Sequence, residues 1–292
     1  MFKRIGILAH PLRPGAGEVG KQLRTALERR GCNVWLRTAW TPEEALPLVA
    51  EADLVIAIGG DGAMLRTARL CAQHDRPVFG INTGHLGFLT EVSGDAWDDA
   101  LDALLADHYW VEQRMLITCT VERAGLPTEE VGDALNDVVI SRGAAARSIL
   151  LETYIDGGWT TTYNADGLII ATPTGSTAYA LAVGGPILPP ELKNILVVPV
   201  APHLSLDRPI VLSEGATIQI RISPETQTDV TLTLDGEQIA MLDLNDTVTV
   251  RASHRQARFI RLRDRNYFYR SLLDRMEPRI PARREPEGTR LT

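Results

Sequence analysis

Leu54-Val55-Ile56-Ala57-Ile58-Gly59-Gly60-Asp61-Gly62 is the stretch that decides how the first part of this chain folds. Its continuous apolar, largely β-branched run fits a central parallel strand with both faces covered. Two glycines then let backbone N–H groups approach an anion with no Cβ in the way. A helix expected over 61–71 turns its positive dipole end to the same spot. In open α/β sheets, ligands bind at this carboxyl end of a middle strand.

The neighbouring sequence supports an α/β domain. Residues 5–9, 34–36 and 78–81 read as further strands. Val19, Leu23, Ala26, Leu27 and Arg30 lie at helical spacing before Gly31, and Thr41-Pro42-Glu43-Glu44 opens a second helix with a cap hydroxyl, proline at N1 and early acids. A loop with two glycines, Asn82-Thr83-Gly84-His85-Leu86-Gly87-Phe88-Leu89-Thr90, precedes a helix over 97–105. From about Met115 the pattern turns to β: strands are expected over 118–122, 134–141, 149–155, 167–171, 217–222, 230–234 and 247–250, with Asp235-Gly236 as a tight turn. One helix is expected after the turn Thr172-Pro173-Thr174-Gly175-Ser176-Thr177, and another over 264–276. Residues 278–292, rich in Pro, Arg and Glu, read as a frayed tail.

Composition narrows the function classes. A formal charge of −7 argues against wrapping a nucleic-acid backbone, while leaving room for a local basic pocket. Three scattered cysteines have no metal-ligand spacing, and the six histidines form neither H-E-x-x-H nor a Cys/His cluster. No secretory leader or apolar run of membrane-spanning length is visible, so the expectation is a cytoplasmic protein with small-molecule partners, no nucleic acid and no membrane. The G-x-G-x-x-G fingerprint, the P-loop and the G-x-S-x-G elbow are all missing.

Two motifs carry the chemistry. Asp61, after the glycines, suits accepting a hydroxyl hydrogen bond, taking its proton or holding Mg²⁺ beside phosphates, or simply capping the helix. Thr172 to Thr177 offer four hydroxyls beside helix N–H groups, a set suited to phosphate or ribose oxygens; a cap would use one of them. Asn136-Asp137 can read a base edge and ribose hydroxyls or form a turn. Asp166-Gly167, one strand ahead of the Thr-rich turn, is expected to frame the same pocket. Arg147 can bond phosphate or sit solvated, and His85 can touch a ligand or order its loop.

These residues, with Gly184-Gly185-Pro186 and the string Thr172 to Tyr179, resemble the NAD kinase family from Gly6 to about Leu273. The glycine motif alone is shared with phosphofructokinases and lipid kinases; the Thr-rich string is narrower. The resemblance implies transfer of a phosphoryl group from ATP, or in some members polyphosphate, to the 2′-hydroxyl of the adenosine ribose of NAD. It also implies a divalent metal, Mg²⁺, and homodimers or homotetramers. The implied fold is a Rossmann-like α/β domain over 1–112 and a β-sandwich-like NAD-binding domain over 113–263, with helix 264–277 returning to the first domain. Asp61 is then the catalytic acceptor, and Gly62, Asn136, Asp137, Arg147, Asn164, Asp166, Thr177, Ala178, Tyr179, Ala180, Leu181 and Ala182 line the NAD site. Gly59, Gly60, Arg66, Asn82, His85, Thr174 and Glu237 complete the candidate nucleotide contacts. Two departures stand out: Asp137 replaces the family's glutamate and is one methylene shorter, and Glu237 replaces a glutamine, removing an amide donor.

Overall fold

Strands Arg4–Ala9, Leu54–Gly59 and Pro77–Asn82 are apolar almost throughout because helices cover both faces of their sheet. In the computed structural model, which describes residues 2–84, 87–144 and 147–276, they run parallel, with Asn33–Arg37 at the edge. Helices Ala16–Arg29 and Trp97–Leu105 pack Leu23, Leu27, Leu101 and Leu104 over Ile5, Ile7, Ile56 and Ile58. On the opposite face, helices Pro42–Glu51 and Asp61–Ala72 bring Val49, Met64 and Ala68 against Val55, Ala57 and Val78. Each Leu- or Ile-sized side chain buried this way contributes about 1.5–3 kcal/mol. Thr41 caps its helix as the sequence suggests, its hydroxyl accepting from the Glu44 N–H while Glu44 accepts from the Thr41 N–H.

The second part is a sandwich. A six-stranded antiparallel sheet, ordered Ile210–Ser213, Asn194–Val200, Gly167–Ala171, Asp137–Arg142, Val230–Leu234 and Glu237–Leu242, forms one layer. Its Val138, Ile140, Leu168, Ile170 and Leu232 meet Ile117, Cys119, Leu151, Ile220 and Val248 of the other layer. That other layer continues the parallel sheet, making eleven strands in all. Strand Thr247–Arg261 joins the two parts. It pairs antiparallel with Thr217–Ile222 at one end and parallel with Pro77–Asn82 at the other, where Arg258 faces Pro77 and Phe259 faces Val78. Strand Trp110–Glu122 runs beside it along most of its length.

Several expectations change. The strand expected over 118–122 begins at Trp110, so it crosses the 112/113 boundary, and the one expected over 247–250 continues to Arg261. Strand Thr247–Arg261 thus itself reaches the first sheet. Strands Gly158–Ala165, Asn194–Val200 and Ile210–Ser213 were not anticipated. The strand expected over 134–141 is two, Glu129–Ala134 and Asp137–Arg142, because the Asp235 carboxylate takes the N–H groups of Leu135, Asn136 and Asp137. After the Thr-rich turn there is only a 3₁₀ turn, Gly175–Thr177, and a single helical turn, Tyr179–Ala182. From Arg263 a separate unit begins, carrying helix Tyr267–Met276, with the Arg263 guanidinium 4.6 Å from the Tyr267 ring centroid. The tail expected over 278–292 lies outside the described residues. Among those residues, no helix is long and apolar enough to cross a membrane.

Candidate active site

Only Gly60 separates the Leu54–Gly59 strand from helix Asp61–Ala72. It occupies the N-cap with extended backbone, and no side chain caps the helix. Asp61 is thus the first helical residue rather than the cap. Its carboxylate is held by a neighbouring loop: the Phe88 N–H donates to Oδ2 at 2.9 Å and the Leu89 N–H to Oδ1 at 3.0 Å. A Cβ at Gly87 would stand 1.8 Å from Oδ1, so glycine is required there. A carboxylate offers about four lone-pair directions, which leaves two for a substrate hydroxyl.

The loop has its own scaffold. Buried Asn82 accepts from the Gly84 N–H and donates to the Thr90 hydroxyl, which also accepts from the Gly87 N–H. Asn82 thus organises the loop that holds Asp61. His85 lies outside the described residues.

Positive charge gathers beside the glycines. A Cβ on Gly60 would lie 3.5 Å from Arg13 Nη2, and exposed Arg66 stacks over Trp40 at 5.1 Å from the ring centroid. Burial, together with Arg13 and Arg66, holds the His10 imidazole below its usual range. His10 and Arg13 were missed in the sequence, although they directly follow the carboxyl end of the first strand, adjacent to Gly59.

The hydroxyls of the Thr-rich turn already have protein partners, some in the turn and some in neighbouring segments. Thr172 Oγ1 donates to the Leu135 carbonyl at 2.5 Å and accepts from the Gly175 N–H. Ser176 Oγ donates to the Pro173 carbonyl and accepts from the Leu188 N–H. Thr177 donates to the Thr174 carbonyl, and buried Thr174 accepts from Arg114 at 3.5 Å. The expectation of four ligand-facing hydroxyls is corrected accordingly. Gly175 sits where a Cβ would come within 2.0 Å of the Asn136 carbonyl oxygen, so the turn lies directly on the Asn136-Asp137 backbone.

A cavity of about 420 Å³ opens along this junction. Asn136, Asp137, Val139 and Ser141 form one wall, Ala178 and Tyr179 another, and Thr233, Asp235 and Gly236 a third. Asp235, like His10 and Arg13, was not singled out as a site residue from the sequence. Asp235-Gly236 was read only as a tight turn, and its positive φ angles, 49° and 80°, do make one. The same turn directs the Asp235 carboxylate inward to the three N–H groups of Leu135 to Asp137 and towards Arg69, at 3.8 Å, on the Asp61 helix. Burial raises the Asp235 carboxyl, opposed by those donors and by Arg69. Asp137, buried and without such donors, is pushed up to about 7 by burial and by the negative charge of Asp235. Asp137 therefore holds a proton more readily than an ordinary carboxylate does.

Other candidates lie apart. Asp166 pairs with Arg142 at 2.9 Å, at the opposite end of strand Gly167–Ala171 from Thr172, roughly 20 Å away at ~3.3 Å per residue. It stands beside Ser141, the cavity residue that Gly167 faces across the sheet. Arg147 is exposed and donates to Gln227, and Asn164 is bound through its backbone to Ser205 and His203. Neither lines the cavity. Ala180 is in the core under the six-stranded sheet, while Leu181 is half-buried and Ala182 exposed. Gly59 is buried and Gly62 exposed. Glu237, mostly exposed, lies 3.8 Å from Arg69.

Comparison with known proteins follows this division of the chain. Residues 18–109 match the model of the ATP-NAD kinase N-terminal domain and residues 135–262 that of the ATP-NAD kinase C-terminal domain. The NAD kinase of Geobacter sulfurreducens is 41% identical over 91% of this chain and 96% of its own length. That of Dehalococcoides mccartyi strain BAV1 is 35% identical over 93% and 95%. Among solved structures, an Archaeoglobus fulgidus NAD kinase in complex with ATP superposes with TM-score 0.73 at 25% identity, over 92% of this chain and 97% of its own. Yeast NADH kinase complexed with NADH shares the fold, with TM-score 0.84 at 24% identity over 99% and 90%.

Proposed function

The chain belongs to the ATP-NAD kinase family, and from that premise we propose that it transfers the terminal phosphoryl group of ATP to the 2′-hydroxyl of the adenosine ribose of NAD, using Asp61. The observation that carries this reading is the Asp61 carboxylate at the carboxyl end of a central strand, oriented by two N–H donors with lone pairs to spare. Asp61 accepts a hydrogen bond from the 2′-hydroxyl, aligns its oxygen for in-line attack and takes the proton as the new P–O bond forms. Backbone N–H groups at the start of helix Asp61–Ala72, with Arg13 and Arg66 nearby, offset charge on the donor phosphates. The ATP bound to the archaeal relative supports ATP as donor.

The residues present suit a divalent ion carried on the donor's phosphates. Among the described residues no cluster of three His, Cys, Asp or Glu could cage a metal, and Mg²⁺ in such sites needs only one or two protein carboxylates. When bound, the ion supplies charge neutralisation to the transferred group. Asn136, Asp137, Ala178 and Tyr179 line the cavity that takes the adenosine half of NAD. A homo-oligomeric, cytoplasmic enzyme completes the reading, and light scattering on the purified protein tests the assembly.

A matrix of ATP, other nucleoside triphosphates and polyphosphate against NAD and NADH, with and without Mg²⁺, measures NADP(H) formation directly. Asp61→Asn should lower turnover by ~10² or more while NAD binding stays within about threefold. Turnover close to the parent's would remove Asp61 from the chemistry.

A further inference from the structure

Two arginines and two glutamates are buried together behind the Phe88–Leu89 segment. The side chains of Arg261 and Glu91 have no exposed surface, and those of Glu112 and Arg114 are 3% exposed. Removing four charges from water is costly unless each is closely paired, and apolar residues of similar volume often stabilise a core at least as well. Stability alone is thus a poor reason for keeping them. The pairing is close: Arg261 Nε donates to Glu112 Oε2 at 2.8 Å, Arg261 Nη1 to Glu91 Oε2 at 3.0 Å, and Arg114 Nε to the same Glu112 oxygen at 3.1 Å. Both guanidinium carbons lie 5.1 Å from the Phe259 ring centroid, which adds cation–π attraction.

The ends of this cluster reach both motifs. Arg261 Nη1 also donates to the Leu89 carbonyl at 3.0 Å, and the N–H of that same Leu89 holds Asp61 Oδ1. At the other end Arg114 Nη1 reaches Thr174 Oγ1 at 3.5 Å, immediately before the Gly175 contact that seats the Thr-rich turn on Asn136. The path runs Asp61, Leu89, Arg261, Glu112, Arg114, Thr174 without a gap.

We infer that Arg261, acting through Leu89 and braced by Glu112 and Arg114, is a positioning residue that fixes the Asp61 carboxylate relative to the Thr-rich turn. The inference rests on the proposed role of Asp61. Rigid orientation of this kind matters because small misplacements of a reacting group are expensive in rate. Lysine keeps the positive charge but loses the planar fork that engages Glu112, Glu91 and Leu89 together.

The test is steady-state kinetics of the full chain carrying Arg261→Lys, alone and combined with Asp61→Asn, with folding checked by thermal melting. The single variant should fold, lose about tenfold or more in kcat with the KM for NAD within about twofold, and have less than about a twofold effect in the Asp61→Asn background. A folded Arg261→Lys protein with kcat within twofold of the parent overturns the inference, as does an equal loss in both backgrounds. If Arg261→Lys does not fold, Glu112→Gln is judged by the same double-variant criterion, with a kcat loss of about threefold or more expected. An Asp61→Asn protein with parental turnover removes the premise. A large Asp61→Asn effect beside an unaffected Arg261→Lys protein overturns only the positioning role.

Discussion

At the glycine turn, Asp61 is held by two N–H groups and keeps lone pairs open; at the threonine turn, Thr172 and Ser176 each both donate and accept, to Leu135 and Leu188 as well as to their own turn. Both motifs are rich in groups that suit a phosphorylated ligand. They differ in how far their bonding capacity is already used. A carboxylate that accepts two N–H bonds retains free lone pairs, while a hydroxyl that already donates and accepts becomes part of the frame. The threonine turn is thus part of the frame behind Ala178 and Tyr179, and the proposed chemistry stays with the glycine turn.

The largest expected effect attacks the glycine side. Gly87→Ala places a methyl group where Asp61 Oδ1 now stands, so the carboxylate or the loop must move. Turnover should fall by ~10², measured as NADP formed from ATP and NAD, with the circular dichroism spectrum unchanged. Next comes Ser176→Ala, which strands the Leu188 N–H and one hydrogen bond to the Pro173 carbonyl. Denaturant unfolding should show a loss of about 1–3 kcal/mol, with the KM for NAD within about twofold. A large KM change with unchanged stability would return the hydroxyl to the ligand and break the contrast.

The smallest effect separates Asp137 from Asp235. Asp137 has a folded pKa of about 7, above its ordinary value of 3.8, so the folded state binds more protons than the unfolded one between those limits. Stability contributed by this group is therefore greatest near pH 4 and falls as pH rises towards 7, by at most about 1.4 kcal/mol per unit. In Asp137→Asn that slope should disappear. Thermal melting of both proteins between pH 5 and 8 checks it, and parallel curves would mean that Asp137 is already ionised.

The parallel strands were legible because 54–58 is apolar without interruption, and helix 97–105 because its spacing is regular and its length ordinary. The break at Leu135–Asn136 was hidden because its cause, the Asp235 carboxylate, lies about a hundred positions along the chain. Local pattern also could not reveal that Thr247–Arg261 outlasts its alternating segment: past Ala252 the ladder slips and a different neighbour takes over. For the site, Asp61 was readable from its place after two glycines. Asp235 was not, because an Asp-Gly pair in a hairpin already has a sufficient local explanation.

The parallel edge of strand Pro77–Asn82 waits for Arg258 and Phe259, which are synthesised about 180 residues later. At ~5–20 residues per second, the ribosome delivers them roughly 10–40 s after that edge emerges. During this interval the Pro77–Val78 end of the edge has unpaired backbone. The same dependence means that a fragment ending anywhere before the final strand leaves the Pro77–Val78 end of that edge unfilled.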